Sequence, residues 1–147
     1  VVLAAGIVAF GSAVETDDIT IEELFLTNSM APLWIAHRVH DPLAAQQGFF
    51  VNVSGMIADT PMPGMSGYAA SKAAAAAGLA AVRKEWRRDK IDVLDARPPH
   101  TETGLASRAV AGDAPTMPEG LDPQVVGDRI VAGIHARESE LAPDAFG

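Results

Sequence analysis

Residues 49–95 read FFVNVSGMIADTPMPGMSGYAASKAAAAAGLAAVRKEWRRDKIDVLD, a strand, a loop, a helix and a second strand in succession. Phe49-Phe50-Val51-Asn52-Val53 is a short run with little alternation, the pattern of a strand covered on both faces. Residues 54–66 hold Pro61, Pro63 and two glycines, which predicts a loop. From about Gly67 to Arg88 the alanine-rich sequence predicts a helix. Ile91-Asp92-Val93-Leu94-Asp95 predicts the next strand. Strands joined through a helix pair in parallel, with helices covering the sheet.

The same pattern extends outward in both directions. Val1-Val2-Leu3-Ala4-Ala5-Gly6 predicts a buried strand ending in a turn. Thr20-Ile21-Glu22-Glu23 has the form of a capping box, with Thr20 as N-cap and a helix from about Ile21 to His40. Leu24, Asn28, Ala31 and Ile35 form one stripe of that helix. Pro32 should kink it or relax one turn. Asp41-Pro42 disfavours its continuation, and Gly48 marks the end of the connection. Asp122-Pro123 predicts the cap and first position of a later helix, with Val126, Ile130 and Ile134 as its apolar face. From about Glu138 the tail is too polar and broken to predict an element. Ligands of parallel sheets bind beyond the carboxyl ends of the strands, where Gly6, Ser54 and Pro98 fall.

Tyr68 and Lys72 stand four residues apart, on one face of the alanine-rich helix. An ammonium beside a phenol favours the phenolate, so Lys72 should draw Tyr68 down from its ordinary value near 10. Such a pair suits proton exchange with an alcohol or a carbonyl.

The bulk composition narrows the classes. The chain has 147 residues, 48% hydrophobic and 20% charged, which is one globular domain's worth of core. Its 19 acidic and 11 basic side chains give a net charge of -8, a sign that disfavours nucleic-acid partners. The absence of cysteine excludes disulfides, thiol catalysis and cysteine-ligated metals. No stretch predicts a membrane span, no leader is visible at Val1–Phe10, and a cytoplasmic setting is expected. The chain opens on Val1 rather than methionine, which suggests a natural protein that starts earlier.

Taken together, these residues resemble the catalytic half of a short-chain dehydrogenase/reductase. Tyr68-Ala69-Ala70-Ser71-Lys72 matches that family's Tyr-x-x-x-Lys signature, and Asn28 lies on the preceding helix where the family keeps an asparagine. Pro98-Pro99-His100-Thr101-Glu102-Thr103 resembles its Pro-Gly segment, with Thr103 at the threonine that holds the nicotinamide carboxamide. Ala5-Gly6 matches the end of its Asn-Asn-Ala-Gly turn. The resemblance spans about residues 1–110. It implies an α/β fold, a partial Rossmann-like doubly wound parallel sheet with flanking helices, as a single partial domain. Residues 1–96 and 122–136 would be regular, and 97–121 a loop region for substrate and nicotinamide.

The resemblance also implies hydride exchange between NAD or NADP and a small carbonyl or alcohol. Tyr68 would be the general acid/base, assisted by Lys72, with Asn28 supporting a proton relay. Ala5, Gly6, Tyr68, Lys72, Pro98, Thr101 and Thr103 would hold the cofactor. No metal is implied. A Gly-x-x-x-Gly-x-Gly turn and the residue that selects NAD or NADP are not among these residues, so little dinucleotide affinity is expected of the 147 residues alone.

Three positions depart from the pattern. The serine expected thirteen residues before Tyr68 is Gly55, with Ser54 one place earlier. Ser54 is a candidate catalytic donor if the strand end swings it into the site; in regular strand it would face the other way. Leu3-Ala4 stand where the family often has asparagines. Pro99 replaces a glycine. Met56, Met62 and Met65 either line an apolar substrate site or pack the loop. His37 and His40 are solvated helix residues or, less simply, a metal pair. The alanine run 73–77 is a close helix contact of a homo-oligomer or plain helix propensity. Two other readings stay open: a non-catalytic or impaired member acting in binding or assembly, and a half-domain that needs a partner chain.

Overall fold

The computed structural model describes residues 1–147. Its order is β1 (Val2–Leu3), α1 (Asp18–Phe25), α2 (Ala31–Gln46), β2 (Phe49–Val53), α3 (Ser66–Trp86), β3 (Asp92–Ala96), α4 (Pro123–His135) and β4 (Glu140–Leu141). The four strands form one parallel sheet in the order β1-β2-β3-β4. Phe50 pairs with Val93 and Val51 with Leu94, so each strand sends alternate side chains to opposite faces. Phe50 and Val93 pack with Ala36, Leu79 and Trp86 of α2 and α3. Val51 and Leu94 pack with Val126, Ile130, Leu141 and Phe146 on the other face. Helices therefore cover both faces, and the fold is the doubly wound α/β sheet expected.

The helices differ from expectation in instructive ways. Asp17, not Thr20, is the N-cap of α1: its Oδ1 accepts the Thr20 N–H at 2.7 Å. The short aspartate reaches the exposed N–H first, and Thr20 is buried instead. Leu26–Met30 is a widened π turn, closed by the Ala31 N–H donating to the Leu26 carbonyl, immediately before Pro32. That is the relaxed turn the proline demands. It adds one residue to the turn, so the buried stripe moves from Ala31 and Ile35 to Pro32 and Ala36.

The helix does not end at His40. It runs through Pro42 to Gln46. Pro42 removes only the hydrogen bond to the Arg38 carbonyl, and both residues are on the exposed side, where that carbonyl is open to solvent. Gln47 adopts the left-handed conformation, and the Gly48 N–H closes the end on the Leu43 carbonyl at 2.9 Å. A Cβ on Gly48 would meet Leu43 Cδ2 at 2.9 Å, so the leucine side chain would have to shift to admit one. In the tail, β4 pairs with β3 at Asp95↔Glu140 and Ala96↔Leu141, an element the sequence did not predict.

Candidate active site

The carboxyl ends of β1, β2 and β3 open into a cleft of about 660 Å³, bordered by Gly6, Ser54, Tyr68, Lys72, Pro98 and Thr103 among others. Ala5, Pro99, His100 and Thr101 also line it, as do Met56, Met62 and Met65. Segments far apart in sequence close its sides. The Val110 N–H donates to the Val8 carbonyl at 2.9 Å, the Phe10 N–H to the Ala111 carbonyl at 2.9 Å, and the Gly11 N–H to the Gly64 carbonyl at 2.8 Å. Gly112, at φ +69, is tied to this contact: a Cβ there would overlap the Phe10 backbone.

Tyr68 and Lys72 stack on the first turns of α3, with Nζ 5.9 Å from the phenol centroid. Lys72 is 6% exposed. Its Nζ donates to the Val53 carbonyl at 2.9 Å, which ties α3 to the end of β2. Burial lowers Lys72 to about 8, partly offset by the negative charge of Asp95. Burial also raises Tyr68 to about 12, opposite to the direction expected from its lysine neighbour. At this site removing the phenolate from water outweighs the attraction of an amine that is itself easily neutralised.

Behind the pair stands Asn28, buried in the π turn. Its Oδ1 accepts the Ile7 N–H at 3.0 Å, and its Nδ2 donates to the Ile7 carbonyl at 2.9 Å and to Ser71 Oγ at 3.0 Å. Ser71 Oγ donates in turn to the Tyr68 carbonyl at 2.8 Å, and Ser29 Oγ to the Ser71 carbonyl at 2.6 Å. The asparagine thus joins the turn after β1 to the start of α3. A Cβ on Gly6 would come within 3.2 Å of both Asn28 Oδ1 and Lys72 Nζ, so this turn passes close against the pair and a side chain there would push on both.

Ser54 borders the cleft, but it is fully buried and its hydroxyl donates to Asp95 Oδ2 at 2.8 Å. Asp95 also accepts from Asn52 Nδ2 at 3.3 Å and from Arg97 Nε at 3.2 Å. Both the Ser54 and Gly55 N–H groups donate to the Ala96 carbonyl, and Gly55 sits at φ +82, where a side chain is strained. Burial raises the Asp95 carboxyl, while its partners pull it back down.

Asp95 and Arg97 are the residues that sequence reasoning missed. Arg97 also holds Asp59 Oδ1 and Oδ2 at 2.8 and 2.7 Å and pairs with Glu140, so it fastens the loop after β2 to the far strands. The signal was present: an aspartate between Leu94 and Ala96 in a doubly covered strand requires partners.

The segment from Pro98 to Thr103 is locally ordered. The Met56 N–H donates to the Pro98 carbonyl at 2.9 Å, and the Thr101 hydroxyl to the Pro99 carbonyl at 2.9 Å. Thr103 is exposed at the cleft, where its Oγ1 accepts the Leu105 N–H at 3.4 Å. His40 lies elsewhere, between Asp41 at 2.9 Å and Asp89 at 3.2 Å, and both carboxylates raise its pKa. No three His, Asp or Glu side chains are grouped to hold a metal ion.

The profile of the short chain dehydrogenase family matches residues 1–114. The chain belongs to this family. Among curated short-chain dehydrogenases, srdE of Neurospora crassa is 28% identical over 142 residues, covering 97% of this chain and 48% of that protein. The chain therefore spans about half the length of the curated relative it matches. A short-chain dehydrogenase from Sphingobium yanoikuyae, solved in complex with NADPH, superposes with a TM-score of 0.85 at 27% identity, covering 95% of this chain and 54% of that one. The bulky-bulky ketone specific alcohol dehydrogenase from Comamonas testosteroni superposes at 0.79 with 26% identity, covering 95% and 52%.

Proposed function

We propose that the natural protein containing this chain transfers hydride between a nicotinamide dinucleotide and a carbonyl or alcohol substrate. The observation that carries this reading is the Tyr68–Lys72 pair, with Lys72 buried on the Val53 carbonyl and Tyr68 half-buried beside it, lining an apolar cleft in a short-chain dehydrogenase fold. The relative from Sphingobium yanoikuyae binds NADPH, and others of this fold bind NADP or NADH. The residues here fit the nicotinamide end of such a group. Lys72 has one protein acceptor for its three N–H donors, and Gly6 leaves free the space that a Cβ would fill beside it. Lys72, Gly6, Ala5, Pro98, Thr101 and Thr103 would hold it. When bound, it supplies or takes the hydride.

The chain's own residues handle the proton. Tyr68, kept as a neutral phenol by its burial, donates to the carbonyl oxygen during reduction and recovers the proton from solvent through Lys72. Asn28 positions the pair, because its amide fixes Ile7 and Ser71 together. Ser54 is engaged by Asp95, which leaves Tyr68 as the principal donor to the oxygen. That arrangement favours reduction of carbonyls that need little further polarisation. It is also the observation behind a second reading, a binding member of the fold with slow or no turnover.

The exposed stripe of Leu26, Met30, Leu33 and Trp34 supports self-association through the α1–α2 face. No helix is long and apolar enough to cross a membrane. A panel of ketones and aldehydes, assayed with NADH and NADPH, separates the readings. Dinucleotide consumption with any of them supports the enzyme, and dinucleotide binding without consumption across the panel supports the binding member.

A further inference from the structure

Arg97 lies between β3 and the Pro98 segment and does not itself border the cleft. Its guanidinium is 14% exposed and reaches three carboxylates. Nε donates to Asp95 Oδ2 at 3.2 Å, Nη2 pairs with Glu140, and Nη1 holds Asp59 Oδ1 and Oδ2 at 2.8 and 2.7 Å. Asp95 and Glu140 belong to β3 and β4, while Asp59 belongs to the loop after β2. An exposed ion pair alone contributes little. Here the guanidinium is already fixed by the fully buried Asp95, so it meets Asp59 with its orientation set.

What Asp59 fastens lines the cleft. Its N–H closes the single turn Met56–Ala58 on the Met56 carbonyl at 3.0 Å, and the Met56 N–H donates to the Pro98 carbonyl at 2.9 Å. Met56 and Ile57 line the cleft, as do Met62 and Met65 later in the loop and Met117 from the segment after β3. Four of the five methionines in the chain therefore line one cavity. None of the four is buried in the core, so their thioethers stay available to a ligand. No acidic side chain lines the cavity. Methionine is unbranched and polarisable, and it packs favourably against aromatic rings.

We propose that Asp59 and Arg97 are a specificity-determining pair, which holds the Met56–Ala58 turn to β3 and so places a methionine wall for large aromatic carbonyl substrates. The proposal rests on the carbonyl reading of the cleft. Both are positioning residues that act through Met56 and Ile57 and touch no reacting atom. Asp59→Asn keeps the size of the side chain but removes the charge and the two-oxygen grip. Arg97 keeps Asp95 and Glu140 in that variant, so the sheet is left intact while the turn loosens. Asp59→Glu restores a carboxylate and should restore the hold.

The test compares the natural protein with its Asp59→Asn and Asp59→Glu variants, all shown to be folded by circular dichroism. Equilibrium dialysis with 2-acetylnaphthalene, at saturating dinucleotide, gives a Kd that needs no turnover. Asp59→Asn should raise that Kd at least ~5-fold, the loss of about one sulfur–aromatic contact, and Asp59→Glu should recover most of it. In reduction assays the KM for 2-acetylnaphthalene should rise alike, with kcat and the KM for butanone, which is too small to span the wall, within about twofold of wild type. Equal Kd in wild type and Asp59→Asn overturns the proposal, as does the absence of saturable binding to the wild type. A fall in kcat shared by both ketones overturns it too, because that is the mark of a general loss of structure. Saturable binding without turnover by the wild type counts against hydride transfer alone, and the Kd comparison then still decides the role of the pair.

Discussion

At the residue scale the site is governed by burial. Lys72 releases its proton near 8 when folded, but holds it to about 10.5 when unfolded. Between those values the unfolded chain binds the extra proton, so the stability contribution of Lys72 rises with pH, by about 3 kcal/mol in all. Tyr68 acts in the opposite sense only above pH 10, because its phenol titrates at about 12 in the fold. Urea titrations of the protein and of Lys72→Met should therefore converge as pH rises from 8 toward 10, with the wild type the one that gains. Parallel curves would mean that the amine is not buried in the charged form.

Ser54 makes a second residue-scale case. Ser54→Ala removes one partner of a buried carboxylate and should cost about 1–3 kcal/mol in denaturant unfolding. Turnover should fall less than ~10-fold. A loss of ~10²–10³ in rate with unchanged stability would instead make Ser54 the oxyanion donor. The sequence showed the Tyr68–Lys72 spacing because a helix repeat is local. It could not show the direction in which Tyr68 titrates, which depends on how much chain covers the ring. Nor could it show which way Ser54 turns at the strand end; it keeps the strand alternation and meets Asp95 from the same side as Asn52.

At the element scale, α2 carries a proline in its interior with no compensating contact evident. Pro42→Ala restores a donor for the Arg38 carbonyl and should raise stability by about 2 kcal/mol, after allowing for the looser unfolded chain. An unchanged or lower unfolding midpoint would contradict the geometry drawn for that turn. The strand–helix alternation was legible because apolar runs and caps are short-range signals. The π turn was legible only as a proline that had to be accommodated, although it is what brings Asn28 and Ser29 onto Ser71. β4 was not legible, since two residues carry no period and Leu141 is placed by Val126, Ile130 and Phe146. Leu141→Ala should cost about 2–5 kcal/mol, because the side chain is fully buried in that cluster.

At the scale of the whole molecule, the sheet order brings β1, β2 and β3 side by side with their carboxyl ends on one cleft, the site that parallel sheets provide. The turn after β1, the loop after β2 and the segment after β3 meet there, and Asn28, Arg97 and the Val8–Val110 contact hold them together. On the outer side of α2, Trp34 is 46% exposed beside Leu33, a surface suited to a second copy. Trp34→Glu should shift sedimentation toward the monomer without changing unfolding, if that face self-associates.

The most direct measurement is kcat/KM for nicotinamide-dependent carbonyl reduction by the natural protein and by its Tyr68→Phe variant, with folding of both confirmed by circular dichroism. A fall of at least ~10²-fold in the variant is expected, since the phenol is the group that delivers the proton. Equal kcat/KM in the two proteins would contradict the role of Tyr68 and the reading of this cleft as an active site.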